Sequence, residues 1–323
     1  MRTLPAVLTL ALALVAPAAA RAQETHWLIV SGLGGEPEYR DLFRDWGTRL
    51  ATVARSQGSW VRYLGERPDE DARIDAAPRK EGLEAVFDSL GTATEAGDEV
   101  VVVLIGHGSA DDGGARINLP GPDLSDGDFS ELLSRLEGRR IVFVNTASAS
   151  GEYVRTLSGP GRVVLTATRS SGERNQTRFG GFFVEALEGG TADADKDGRV
   201  SVLEAFLYAR RETLRTYETD NKLATEHALL DDNADGRGSE EPSPTAEDGG
   251  MAATFYLART GTAAVVTDPA LAPLVAERER LERRIAELRP LKDSMEPAEY
   301  ERQLEELLLE LALVNRRLQG GGA

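Results

Sequence analysis

Short apolar runs alternate with stretches of helical periodicity along the first two thirds of the chain. Residues 26–31 read as a first strand, a glycine-rich turn follows, and 38–56 repeat their apolar positions at helical spacing. Residues 60–64 predict a second strand and 81–94 a second helix. Glu99 then opens a run of six consecutive aliphatic residues, Val100 to Ile105. A strand that is apolar on both sides belongs in the middle of a sheet covered on both faces. Residues 124–136 read as a helix, and 140–144 and 162–166 as two more strands. Strand and helix in such alternation predict an α/β domain over residues 23–258, with a mostly parallel sheet flanked by helices. Chemistry in such sheets gathers at the carboxyl ends of the strands.

Beyond Asp231 the pattern changes. Residues 231–250 are rich in Gly, Ser, Pro and acids, the composition of an acidic mobile loop, and 251–257 suggest one more strand. From Leu274 onward the periodicity is helical. Leu274, Leu281, Ile285 and Leu288 share one face; Tyr300, Leu304, Leu308, Leu311 and Leu318 form a second stripe. Arg289-Pro290 and Glu296-Pro297 break the pattern between them, so a C-terminal α-helical hairpin is expected over 272–319. It packs on its own domain or pairs with a second copy as a short coiled coil; a homodimer through the hairpin is therefore an expectation.

The first 22 residues carry Arg2, an apolar stretch from Leu4 to Val15 and the small-x-small site Ala20-Arg21-Ala22, the organisation of a cleaved signal peptide. The apolar stretch is shorter than the ~20 residues a membrane-spanning helix requires, and no later segment is apolar enough, so no membrane span is expected. The chain reads as exported, to a periplasm or the extracellular space. Its 37 basic residues against 54 acidic ones give −17, and loss of the leader, with two arginines and no acid, makes this −19. Such a surface repels a phosphate backbone and argues against a nucleic-acid partner. The absence of cysteine excludes disulfides, thiolate-ligated zinc, a thiolate nucleophile and a lipidated N-terminal cysteine.

The strongest local motif begins at Asp193. Asp193, Asp195, Asp197, Ser201 and Glu204 occupy positions one, three, five, nine and twelve of an EF-hand-type loop; Gly198 is at the sharp turn and Arg199 at the position that offers a main-chain carbonyl. Calcium takes six to eight oxygens, two of them from the glutamate at position twelve. A structural Ca²⁺ is the expected cofactor. Asp231, Asn233, Asp235 and Gly236 begin the same way, but position twelve is Pro242, which has no side-chain ligand, and a turn is the favoured reading.

Two further segments carry candidate chemistry. Gly32-Leu33-Gly34-Gly35 follows the first strand but has Pro37 where a dinucleotide fingerprint needs its third glycine, so it reads as a tight turn. Gly106-His107-Gly108 follows the apolar strand, and Asn145-Thr146-Ala147-Ser148-Ala149-Ser150-Gly151 follows the next. Consecutive parallel strands bring His107 and Ser148 to one sheet edge, a base beside a hydroxyl as acyl transfer requires. An α/β-hydrolase order would instead combine Ser148, an acid and His227, but Thr146 and Ser150 stand where that fold's nucleophile elbow has glycines.

These segments resemble the caspase-like peptidases, in their legumain-type and bacterial caspase-like branches. The family follows one buried strand with His-Gly and the next with Ala-Cys-x-Ser-Gly; here the second reads Ala147-Ser148-Ala149-Ser150-Gly151, with Ser148 in the place of the nucleophilic Cys. Trp27 to Gly32 followed by Tyr39-Arg40 looks like the legumain-type opening. Phe179 to Phe183 before the acidic loop is similar to the bacterial branch. The resemblance spans about residues 25–217 and leaves the hairpin unexplained. It implies a caspase-like sheet, His107 as general base, Gly108 and the Ser148 amide as oxyanion donors, Arg40 in the S1 pocket and Glu38 in place of the Asn that orients the His. A Ser hydroxyl is far less acidic than a Cys thiol and needs its proton removed during attack. The exchange therefore points to a catalytically impaired protein that binds a peptide or protein ligand. The alternative is an active endopeptidase using a His107/Ser148 dyad.

Overall fold

The computed structural model describes residues 24–111, 113–259, 271–288, 292 and 295–320; the expected signal peptide lies outside them. The chain begins with β1 (Thr25–Ser31), α1 (Pro37–Ser56), β2 (Trp60–Leu64), α2 (Lys80–Ala93) and β3 (Glu99–Ile105). Three short strands follow, β4 (Gly108–Asp111), β5 (Gly114–Ile117) and β6 (Leu124–Ser125), which form a small antiparallel sheet of their own. Next come α3 (Asp126–Ser134), β7 (Arg140–Asn145), α4 (Glu152–Leu157) and β8 (Arg162–Thr166). After these lie α5 (Phe179–Ala186), β9 (Arg199–Ser201), α6 (Val202–Thr219), β10 (Leu229–Asp231), a 3-10 turn (Ala252–Thr254) and β11 (Tyr256–Arg259). Two helices, α7 (Ala272–Leu288) and α8 (Pro297–Gly320), close the chain.

The main sheet has the order β10-β8-β7-β3-β1-β2 and is parallel except for β10, which runs antiparallel along the edge of β8. Alternation along the strands divides their side chains between two cores. Trp27, Ile29, Val101, Val103, Val142 and Val144 meet Phe43 and Leu50 of α1, Phe179 and Phe183 of α5 and Phe206 of α6. Leu28, Val30, Val100, Val102, Leu104 and Phe143 meet Leu83 and Phe87 of α2, Phe129 of α3 and Tyr153 of α4. Each fully buried aliphatic or aromatic side chain contributes about 1.5–3 kcal/mol, so the two cores determine how the strands stack. The helix starts agree with their sequence: Pro37 opens α1, and α3 and α6 each begin with a reciprocal capping box, Ser125 with Asp128 and Ser201 with Glu204.

The small sheet β4-β5-β6 and the edge strand β10 were not foreseen, because strands of two to four residues are too short to display a period. The helix expected from residue 124 begins at Asp126, its first two residues being β6. In the hairpin, Leu281, Ile285 and Leu288 pack against Tyr300, Leu307 and Val314. The inner stripe of α8 is therefore 300, 304, 307, 311, 314, 318, alternating steps of four and three that hold a straight seam against a neighbouring helix. Leu308, expected inside, points outward and is 47% exposed. The hairpin is joined to the domain by an ion pair from Arg199 Nη1 to Glu282 Oε2 at 2.8 Å.

Residues 231–250 are held by their acids. The Asp232 carboxylate accepts from the main-chain N–H groups of Gly249 and Ala252, both at 2.8 Å, and Asp248 accepts from Asp232 N–H at 3.1 Å. Both carboxylates are buried. Desolvation, with Asp232, Asp231 and Asp235 nearby, pushes the Asp248 carboxyl up to about 6. Because the folded value lies above the 3.8 of a free aspartate, this group's contribution to stability is fully present below pH 3.8 and is lost as pH rises through 6. Asp248→Asn keeps the acceptor oxygen and removes the charge. Chemical unfolding in the presence of chelator should find the variant more stable than the parent above pH 6 by about 1–3 kcal/mol. The difference should vanish below pH 4.

Candidate functional site

β3 and β7 are neighbouring parallel strands with Leu104 level with Asn145. His107 and Ser148 each lie three residues beyond that register pair, so they leave the sheet at the same edge. His107 is half-buried, its ring meeting the rings of Tyr39 and Phe43 edge-on at 4.8 and 5.0 Å between centroids. Burial pushes the imidazole below its ordinary value, against a hydrogen bond to the Gly34 main chain and the field of Glu36, both of which raise it. A neutral imidazole donating to a carbonyl through one nitrogen leaves the other free to accept a proton.

Ser148 is 4% exposed, and its hydroxyl faces the Gly108 backbone. Oγ accepts from Gly108 N–H and donates to Gly108 C=O, both at 3.2 Å. Among the described residues it makes no hydrogen bond to His107. Gly108 N–H is one of the two amides assigned to an oxyanion hole, and here the candidate nucleophile itself occupies it. The approach is close: a Cβ at Gly108 would lie 2.1 Å from the Ser148 carbonyl oxygen. Ala149, immediately after Ser148, has φ +53°, a left-handed conformation that costs a non-glycine residue about 1 kcal/mol or more. It is held there by an N–H bond to the Glu173 carbonyl at 2.7 Å.

The other expected site residues fall differently. Arg40 is near the same loop, but its charge is engaged: Nε lies 3.4 Å from Glu66 Oε1 and Nη2 donates to the Gly35 carbonyl at 3.2 Å. Glu66 also accepts from Gly34 N–H at 3.2 Å. Arg40 and Glu66 thus brace the turn whose Gly34 carbonyl holds His107. Glu38 is exposed in the first turn of α1; the acid that reaches His107 electrostatically is Glu36, and the group bonded to the ring is Gly34.

One pair was not foreseen. Glu173, in the loop after β8, takes His227 Nδ1 at 2.5 Å and accepts from the main-chain N–H groups of His227 and Arg169 at 3.0 Å each. Its own carbonyl anchors Ala149, so this carboxylate–imidazole pair buttresses the loop that carries Ser148. Residues 54 positions apart offer no spacing signal.

At the acidic loop, carboxylate oxygens of Asp193, Asp195 and Asp197 lie within 4.8 Å of one another. Asp193 accepts from the N–H groups of Asp197 and Gly198, and Gly198 has φ +83°. Glu204 bridges the loop and the next helix: Oε1 accepts from Ala194 N–H at 2.9 Å, and Oε2 from Ser201 N–H and Oγ at 2.9 and 2.8 Å. Desolvation first, then its acidic neighbours, raise the Asp195 carboxyl. The donor set consists of hard oxygens, the ligand type that calcium takes. The Arg199 side chain pairs with Asp197, itself one of the three clustered carboxylates, and with Glu282, its guanidinium 3.7 Å from the centre of the Tyr256 ring. The loop at Asp231 repeats the turn geometry, with Asp231 accepting from Gly236 N–H and from Ser158 Oγ.

No family profile matches the sequence, and no curated protein matches it. Among solved structures, the chain is similar to a caspase-1 from Spodoptera frugiperda at 11% identity and a TM-score of 0.44, covering 65% of this chain and 87% of that one. It is also similar to a Geobacter sulfurreducens protein at 14% identity and a TM-score of 0.43, covering 68% and 95% respectively.

The tight contact between the two site loops can be tested at Gly108. Gly108→Ala must push the Ser148 carbonyl away, and overpacking against backbone costs about 1–3 kcal/mol or more. Denaturant unfolding should show that loss, whereas Ser109→Ala, one residue on and exposed, should change stability by less than about 0.5 kcal/mol.

Proposed function

We propose that the chain is an exported, calcium-binding member of the caspase/legumain-like group that holds a peptide or protein segment at the strand ends carrying His107 and Ser148, with hydrolysis strongly impaired. The observation that carries this reading is the Ser148 hydroxyl seated on Gly108 N–H. A nucleophile bonded to its own oxyanion donor, and not to the neighbouring imidazole, has neither an activated oxygen nor a vacant amide for the tetrahedral intermediate. Burial of Ser148 and the closeness of the two loops oppose its release. Calcium, held by Asp193, Asp195, Asp197, Ser201, Glu204 and the Arg199 carbonyl, would have a structural role and tie the start of α6 to the loop before it.

An active endopeptidase is the second reading, favoured by the neutral, carbonyl-anchored His107 and by the strained Ala149 beside Ser148. In that case Ser148 rotates off Gly108 and His107 takes its proton as Oγ attacks the scissile carbonyl. The oxyanion is then received by Gly108 and Ser148 N–H, and His107 returns the proton to the leaving amine.

A fluorophosphonate probe distinguishes the two. The impaired reading expects no labelling of the folded protein with or without calcium; labelling at Ser148 that disappears in His107→Ala would replace it with the dyad. Ser148→Cys should react with a thiol-directed peptidase probe, since a thiolate needs only a nearby imidazole.

Calcium is tested separately by thermal unfolding. Saturating calcium at about 100 times its dissociation constant should add about 2.7 kcal/mol, and Glu204→Gln or Asp193→Asn should remove most of that gain. An unchanged midpoint in the parent would sink the calcium reading.

A further inference from the structure

The face of α8 turned away from α7 packs against no other element among the described residues. The seam residues Leu304, Leu307, Leu311, Val314 and Leu318 cover α7. At 3.6 residues per turn, Glu305, Leu309, Ala312, Leu313 and Arg316 lie on the opposite side. Leu309 is 62% and Leu313 48% exposed, with Leu308 beside them. Charge is distributed unevenly along this face: Arg302, Glu305 and Glu306 precede the leucines, and Arg316 and Arg317 follow them. Glu306 touches Arg302 at 3.3 Å; Glu305, Arg316 and Arg317 have no ion-pair partner among the described residues.

We propose that two copies of the chain associate antiparallel through this outer face of α8, around a two-fold axis passing near residue 311. That axis brings Leu309 against the partner subunit's Leu313, and the reverse. On one side of the contact Glu305 then lies beside Arg316 of the partner subunit, and on the other Glu306 beside Arg317 of the partner subunit. Each pair is within one residue, ~1.5 Å along the helix, of being level. Two-fold symmetry repeats both pairs. Parallel pairing would instead set Glu305 beside the partner's Glu306 and Arg316 beside the partner's Arg317, so flanking charge selects the antiparallel orientation as it does in coiled coils. A second copy is the occupant whose charges match this face in order as well as in sign. The contact is one helix wide, below the ~1,000 Å² of a stable interface, so the dimer is weak and concentration-dependent.

Sedimentation velocity of the purified protein over a range of concentrations tests this, whatever the state of the catalytic site. A monomer–dimer equilibrium is expected. Leu309→Glu with Leu313→Glu should leave a folded monomer, as judged by unchanged circular dichroism. Glu305→Arg and Arg316→Glu should each raise the dissociation constant about tenfold, while the two together in one chain should return it to within about threefold of the parent. Because the chain has no cysteine, orientation can be read by oxidation: a mixture of Glu305→Cys and Arg316→Cys should cross-link between the two variants, and Glu305→Cys alone should not. A monomer at every concentration, a dimer indifferent to the leucine substitutions, failure of the charge exchange to restore association, or self-cross-linking of Glu305→Cys would each overturn the proposal.

Discussion

A strand with no exposed residue organises this molecule. Every residue of β3 is buried, and an extended backbone can be removed from water only when both edges are paired and both faces are covered. β1 and β7 supply the edges, and the helices packed on either side supply the faces. Once the strand is enclosed, its carboxyl end is the first place where the chain can escape, and the residues that emerge there are Gly106 and His107. The register to β7 then determines which residue emerges beside them. The position of the candidate site is thus a consequence of burying six aliphatic side chains in succession.

The two loops at that edge are packed against each other with little room. Gly108 tolerates no side chain because the Ser148 carbonyl is there, and Ser148 closes the gap by bonding both polar groups of the Gly108 backbone. This arrangement satisfies buried polar atoms that would otherwise cost about 1–3 kcal/mol each, so it is stable. The same bonds engage the Ser148 hydroxyl and the Gly108 N–H with each other. His107 is held on its own terms, between two aromatic rings and a carbonyl that Arg40 and Glu66 keep in place through the Gly34 turn. The site therefore combines a carbonyl-anchored imidazole with a serine hydroxyl bonded to the backbone of the neighbouring loop.

Negative charge is the second constraint. The chain places acids in loops where main-chain N–H groups are concentrated, at Asp193, Asp231 and Asp232, and uses them to close turns. Arg199 links one such loop to the hairpin through Asp197 and Glu282. The peripheral helices are thereby attached to the domain by a charged bridge, leaving the outer side of α8 apolar between two charged ends.

Local pattern was enough to establish the α/β class, five of the six main-sheet strands, the helical hairpin and the loop motif at Asp193, because each is written in a period, a capping signal or a spacing shorter than one element. The strand ends on which His107 and Ser148 fall were legible for the same reason. Tertiary structure decided whatever depended on partners far apart in the chain. β10 is a strand only because β8 offers an edge, and Leu307 rather than Leu308 faces inward because α7 selects one seam among two adjacent leucines. Glu173 meets His227 across 54 residues, and Arg40 is neutralised by Glu66. The state of the site belongs to this second group. A sequence shows that Ser148 stands one strand away from His107; only packing decides that its hydroxyl turns to Gly108, since that choice rests on which buried donor and acceptor would otherwise go unpaired.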